Sequence, residues 1–545
     1  MLYVQKNVPI EFSLTTGRKY KDIFNEVDVD VIFMSSDKKE TKVPAFWKGE
    51  NEFGVRFAAS YEGIYKWQTV CSDATDTDLH NQKGEIKIIP YQGQNPLYTH
   101  GRLRISQNKR YLEHSDGTPF FWLADTWWMG FCKRLQWPME FKELTQDRVQ
   151  KGFSVIQIVA GLYPDMDWFD ERGENEAGYP WTKDFSTINP GYFALADLKL
   201  FHLVHSGLIP CIVGCWGYFL PWMGIEKMKK HWRNLIARYG ALPVVWCAAG
   251  EYDMPYYLSK TGEKDRDFQR KGWQEISRYI RETDPYHNPV TVHPGSYTRE
   301  VEDFSEVLDF DMLQTGHSDD SIKNTVYRVR QSYNAEPKMP VIDGETVYEG
   351  IGGQCREQIQ RLTFWSCMLN GAAGHTYGAN GIWQINRKEK PFGSSSHGMS
   401  WGNTSWEEAE QLPGSKQLGF AKKLLERYDW HLFQTRPDWI EVEVSEENKL
   451  KYYYPYVAGI PGKVRIIYLP LFYNTFKIKG IEKDTAYNAF LFNPVTGEEI
   501  HIGPVKPGAD GKWELPLLTE GGSGWARLPI YQDWVLVLKK KQMRD

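Results

Sequence analysis

Long apolar runs are missing from this sequence: no stretch approaches the ~18 residues that a membrane-crossing helix needs. Cysteine is sparse and scattered. The seven cysteines among 545 residues (71, 132, 211, 215, 247, 355 and 367) are odd in number and form no CxxC pair. That argues against a disulfide framework or a zinc site and fits a reducing compartment. Cys211, Cys215, Cys247 and Cys367 lie in apolar surroundings, where cysteine acts as a small hydrophobe. Basic tracts are absent apart from the terminal "LKKKQMR", and the net charge is −5, so neither nucleic acid nor an anionic membrane is an expected partner. The N-terminal "MLYVQKNVPIEF" lacks the basic and apolar regions of a signal peptide, which predicts a cytoplasmic location. GxGxxG and GxxxxGK[ST] are absent, removing the usual cradles for nucleotides, and "GMSWG" (398–402), which has GxSxG spacing, lies in a Gly/Ser-rich loop.

What is abundant is aromatic surface. Trp (22), Tyr (31) and Phe (27) make up 15% of the chain. Such a load suits either aromatic-rich β-cores or exposed stacking surfaces for sugars, whose C–H faces are apolar and whose rims are polar.

A chain of this length is too long for one core, and two to four domains are expected. Residues 1–95 alternate apolar and polar in short runs such as "VDVDVIF", "GIYKWQTV" and "GEIKIIP", which predicts a β-sandwich. Residues 437–545 repeat that style and predict a second one. Between them, over 100–432, eight short apolar runs alternate with stretches of helical period. The runs begin "FFWLAD", "SVIQIVAG", "LIPCIVGCWG" and "PVVWCAAGE", and continue "PVTVHPG", "FDMLQTGH", "PVIDGE" and "AAGHTYG". Eight strands alternating with helices predict a closed (β/α)8 TIM barrel flanked by two β-sandwiches. In "CREQIQRLTFWSCMLN", the spacing of Cys355, Ile359, Leu362, Ser366 and Leu369 predicts a helix with one buried face. The stretch "SYTREVEDFSEVLD" is the most weakly periodic of the expected helices.

Active sites of such barrels gather at the C-terminal ends of the strands. Those ends offer Asp125, Trp127 and Trp128, then Gln157, Trp216, Glu251 and Asp253, then His293, Gln314, His317, Glu345, His375 and Tyr377. Together with Trp383, these residues form a candidate ring for a polyhydroxylated ligand. Each alone has a structural alternative, such as a helix cap for Asp125 or a core histidine for His293. Glu251 after the fourth strand and Glu345 after the seventh could converge over the barrel mouth. Such a pair suits glycosidic cleavage, in which one carboxyl protonates the leaving oxygen and the other attacks the anomeric carbon or activates water. The insertion "DMDWFDERGE" lacks the glycine and terminal acid of a calcium loop and reads as a cleft lining, with Trp168 and Trp181. His397, in "GSSSHGMSWG", is tied to no nucleophile by its local sequence. Nothing here calls for a metal or organic cofactor.

Five stretches, "RISQNKRYLEHSDGTPFFWLADTWW", "RVQKGFSVIQ", "FDMLQTGH", "PVIDGETVYEG" and "GAAGHTYG", resemble the apiosidase-like glycoside hydrolases in the family's order. The resemblance implies a (β/α)8 barrel and an oligo- or polysaccharide substrate, and it makes Glu345 catalytic. The family's second acid is an Asp in a "GGD" context after strand four. Here the matching stretch reads "AAGEYD", so Glu251 takes its place. The segment "AFWKGENEFGVRFAASYEGIYKW" is similar to the Ig-like domain that often precedes these barrels.

The expectation is therefore a glycosidase with Glu251 as acid/base and Glu345 as nucleophile, retaining if strands four and seven hold the pair closely. Two rivals stay open: a non-catalytic glycan-binding barrel, and a polysaccharide lyase, which would need a cation to neutralise a uronate. Sugar, linkage and homo-oligomerisation are left open by the sequence.

Overall fold

The computed structural model describes residues 2–295, 297–301, 304–471, 475–517 and 527–541. Its centre is an eight-stranded parallel sheet of short strands buried almost throughout, as expected where both faces are covered. In chain order these are β1 (Trp122–Thr126), β2 (Val155–Val159), β3 (Ile209–Val213), β4 (Val245–Cys247), β5 (Val290–Thr291), β6 (Asp311–Gln314), β7 (Val341–Glu345) and β8 (Gly374–Tyr377). The sheet order is β5-β4-β3-β2-β1-β8-β7-β6, all parallel. The gap between β5 and β6 is bridged by Asp309 N–H, which donates to the Val290 carbonyl at 2.8 Å, and by Thr291 Oγ1, which donates to the Phe310 carbonyl at 2.9 Å. The result is a nearly closed TIM barrel.

The longer helices packed outside it are α1 (Met139–Gln150), α2 (Pro190–His205), α3 (Ile225–Tyr239), α4 (Gly262–Thr283), α5 (Ile322–Asn334) and α6 (Glu357–Met368). A seventh, α7 (Pro413–Leu425), follows β8. The weakly periodic helix expected between β5 and β6 is replaced by two 3₁₀ turns, Thr298–Glu300 and Phe304–Glu306; residues 296, 302 and 303 of that stretch lie outside the described residues. All seven cysteines are buried and unbridged. No helix among the described residues is long and apolar enough to cross a membrane.

Before the barrel, a five-stranded and a three-stranded sheet face each other, with Phe33 of one stacked on Phe57 of the other at 3.8 Å. After it, a six-stranded antiparallel sheet and a two-stranded one enclose Trp439, Leu491 and Leu536. Both flanking parts are fastened to the barrel by charge-assisted bonds. Arg56 reaches Asp197 on α2 and the Arg238 carbonyl on α3. Arg361 on α6 makes a two-toothed pair with Asp533 at 2.8 and 2.7 Å.

That second contact corrects the expectation for α6. Every residue from Ile359 to Met368 is buried, not one face only, because the C-terminal sheet covers the side that would otherwise meet water. Trp365 stacks on Tyr468 of that sheet, with ring centres 5.7 Å apart. Cys355 lies ahead of the helix in a left-handed turn (φ 56°), outside the periodic face assigned to it.

Candidate active site

β4 ends at Cys247, and the chain then narrows through Ala248, Ala249 and Gly250 before Glu251. Gly250 is required by close approach: a Cβ there would lie 2.3 Å from the Trp216 ring. The indole packed over that glycine donates from Nε1 to Glu251 Oε2 at 3.0 Å. Glu251 itself has φ +40°, a conformation non-glycine residues seldom adopt. Strain of this kind persists only where surrounding structure enforces it, and it clusters at functional sites.

Glu345 ends β7 just past a register shift opposite Leu313 and Gln314. The Gln314 amide bridges the two acids, donating to Glu251 Oε1 at 2.9 Å and to Glu345 Oε1 at 3.4 Å. Two imidazoles flank Glu345. His293 Nε2 lies 2.8 Å from Oε2, a close contact not aligned as a hydrogen bond, and His317 Nε2 lies 3.1 Å from Oε1. The Glu251 backbone N–H donates to His293 Nδ1 at 3.3 Å, which leaves the ring proton on Nε2, facing Glu345. One histidine thus ties the β4 acid's backbone to the β7 acid's side chain.

The environments push the two carboxyls apart. Burial, and then the charge of Glu345, raise Glu251 from its ordinary 4.5 to about 7. Burial also opposes ionisation of Glu345, but His293 and His317 outweigh it and hold this carboxyl far below the usual range. His317 is raised in turn: Glu345 overcomes the cost of burying its charge. Paired carboxyls with separated proton affinities can divide acid and nucleophile roles at neutral pH.

Both acids open into a cavity of about 200 Å³. Trp128, Trp216, His317 and Trp383 line it as the sequence suggested. Trp128 and Trp216 meet edge to face at 5.5 Å, and each borders the His293 ring.

Six expected ring members lie elsewhere, Asp125, His375 and Tyr377 because strand parity turns them outward. Asp125 points outward and accepts from Arg148 Nε at 2.6 Å and from Trp127 Nε1 at 2.7 Å, so both Asp125 and Trp127 belong to the β1–α1 layer. His375 and Tyr377 share the outer face of β8. His375 meets Phe364 of α6, with its pKa pushed down to about 3 by burial, and Tyr377 donates to Glu349 at 2.5 Å. Gln157 faces inward but below the mouth, where its amide holds the Gly344 carbonyl at 2.9 Å. Asp253 pairs with Arg270 at 3.0 Å and accepts from Gly295 N at 3.2 Å. Trp181, expected in the cleft, is buried and donates to His231.

The sequence reading missed Asp165, Tyr257, Tyr348 and Trp401, and assigned His397 no role, yet all five line the cavity. They stand on loops beyond the strands, where no periodicity marks them. Tyr348 accepts from Trp128 Nε1 at 2.9 Å and stacks on His317. Asp165 is half-buried and raised by that burial, with Tyr257 beside it. Asp343, Cys367 and His375 bring potential metal-ligating atoms within 4.8 Å of one another, but between β7, β8 and α6, outside the cavity.

Residues 106–431 match the model of the apiosidase-like catalytic domain. The chain belongs to the apiosidase-like family. This apiosidase-like protein is thereby a glycosidase, and its residues 4–72 match a further model described as a domain of unknown function, DUF5060. No curated protein matches the sequence. Among solved structures, one described as a glycoside hydrolase is 23% identical, covering 82% of this chain and 98% of its own, with a TM-score of 0.65. A glycoside hydrolase family 5 structure from Bacteroides vulgatus ATCC 8482 is 22% identical, with a TM-score of 0.66 and coverage of 82% and 94%. Another protein of that organism, 15% identical, covers 99% of this chain and 100% of its own at a TM-score of 0.70, so its likeness extends beyond the barrel. At these identities the likeness concerns fold.

Proposed function

We propose that this glycosidase cleaves its substrate by double displacement, with Glu251 as acid/base and Glu345 as nucleophile. The observation that carries this reading is the Gln314 amide touching both carboxyls. The two bonded oxygens can be no farther apart than the sum of those contacts, short of the roughly 6.5–9.5 Å that an inverting pair leaves for water. In the first step Glu345 bonds to the anomeric carbon as the glycosidic bond breaks, and the departing oxygen takes the proton of Glu251. In the second, Glu251, now a carboxylate, takes a proton from water, whose oxygen displaces Glu345 from the sugar. The low proton affinity of Glu345 keeps the nucleophile free, while the raised one of Glu251 keeps the acid loaded up to neutral pH.

Two observations weigh against the rivals. None of the residues lining the cavity is Lys or Arg, and the raised His317 imidazole is already engaged by Glu345, which weighs against the uronate neutralisation a lyase needs. A purely binding barrel has no use for a strained carboxyl held near neutrality. The substrate is accordingly an uncharged glycosyl residue. Family membership makes an apiosyl or another furanosyl group the first to try, although Glu251 in place of the family's Asp extends the acid by one methylene.

The test is hydrolysis of aryl furanosides, aryl pyranosides and pectic oligosaccharides, with product anomers followed by NMR. Retention is expected, and Glu345→Gln should cut kcat by about 10³-fold or more with the fold intact. Inversion, or full turnover by that variant, would overturn the assignment.

A further inference from the structure

Aromatic side chains continue outward from the cavity. Tyr257, on its wall, lies 4.1 Å from His397 and 5.9 Å from Tyr256, ring centre to ring centre. Tyr256 meets Trp222 at 4.9 Å, and Trp222 meets Trp168 at 5.1 Å. The last of these is 50% exposed, an unusual position for tryptophan. Three separate connections supply the four rings: Trp168 follows β2, Trp222 sits in the short helix Phe219–Met223 after β3, and Tyr256 and Tyr257 follow β4. Carboxylates flank the row: Tyr256 donates to Asp167, and Asp165 lies beside Tyr257.

Resting on the acid/base role proposed above for Glu251, we infer that this row of rings binds the departing part of the substrate, a neutral oligosaccharide chain. The acid must reach the leaving oxygen, so the leaving chain has to run out on the acid's side of the cavity. Glu251 follows β4, and the row stands on the loops of β2, β3 and β4, whereas Glu345 approaches from β7. Ring faces suit the apolar C–H faces of sugars, and the neighbouring carboxylates accept from hydroxyls while disfavouring an anionic chain. The row is continuous with the cavity, which gives it one occupant: the remainder of the glycan whose terminal residue the cavity holds.

Affinity electrophoresis of the inactive Glu345→Gln protein, in gels containing arabinan, galactan, xylan or glucomannan, tests this without turnover. At least one of these neutral polymers should retard the protein, with polygalacturonate retarding it less. Adding Trp168→Ala should weaken the retardation about ten-fold, and Trp168→Phe should restore part of it. Trp168 is exposed, so its truncation leaves the core intact, and unchanged melting checks this. Equal retardation with and without Trp168, retardation by none of the neutral polymers, or preference for polygalacturonate would overturn the inference. Failure of the glycosidase reading would look different: no hydrolysis of any panel substrate by the unmodified enzyme, whatever the gels show.

Discussion

Replacing Glu345 by Gln removes one charge from a coupled pair, and the proton affinity of Glu251 should respond. Glu251 titrates at about 7 against its ordinary 4.5, with burial the larger cause and the Glu345 charge the second. Two unit charges about 6 Å apart repel by ~2.8 kcal/mol at an effective dielectric of ~20. That is roughly two pK units. The Glu345 charge ranks behind burial as a cause of the rise, and the Gln314 amide and His293 oppose both. His317 owes its own raised value to Glu345 and will lose its proton more readily in the variant, which offsets part of the fall. We expect Glu251 to drop by about one pH unit. The measurement is a carbon NMR titration of δ-labelled glutamates, with the resonance assigned by adding Glu251→Gln. The His317 ring should move downward in the same titration. An unchanged or rising Glu251 value would refute the coupling, and with it the account of how the acid stays protonated.

Other outcomes follow from the same geometry. Activity should fall as pH rises through about 7, when Glu251 loses the proton it donates, and a pH–kcat/KM profile checks that limb. Stability should show the mirrored sign. A carboxyl whose folded value lies above its unfolded one stabilises the fold below about 4.5 and loses that contribution as pH rises through about 7. Glu251→Gln should therefore melt like the unmodified protein at pH 4 and be more stable at pH 8 by about 2–3 kcal/mol, seen by calorimetry. Gly250→Ala should push the Trp216 indole off Glu251, lowering kcat about 10–100-fold and costing about 1–3 kcal/mol, measured by kinetics and denaturant unfolding. Arg148→Met should cost about 3–5 kcal/mol by stranding the buried Asp125 carboxylate while leaving the pH profile unmoved, because this pair lies in the helix layer.

The order of strands and helices was legible because buried parallel strands write themselves as short apolar runs between helical periods. The paired acids were legible because a carboxyl closing such a run is costly without a role. Parity was where the reading slipped. Asp125, His375 and Tyr377 end their strands as expected, yet each points to the helices, and the side chain that reaches the mouth is decided residue by residue along a period of two. The bulge before Glu345 hides that period altogether. Tyr348, Asp165, Tyr257 and Trp401 were invisible for another reason: loop positions are set by tertiary contacts that leave no repeat in the chain. Asp343 shows the converse case. It sits in the recognisable "VIDGE" beside the nucleophile, but it spends its carboxyl on Thr315 and Cys367.

The all-round burial of α6 bears on how this protein can be handled and diversified. With Trp365 and a paired Arg361 on its outer side, the helix has no water-facing surface from Ile359 onward. Cutting the chain near residue 432 would lay open an apolar strip carrying an unmatched guanidinium, a surface that invites aggregation. The last hundred residues are therefore no removable accessory. Recombination that swaps barrels among different C-terminal modules would need to carry α6 and its covering sheet together as one inherited block.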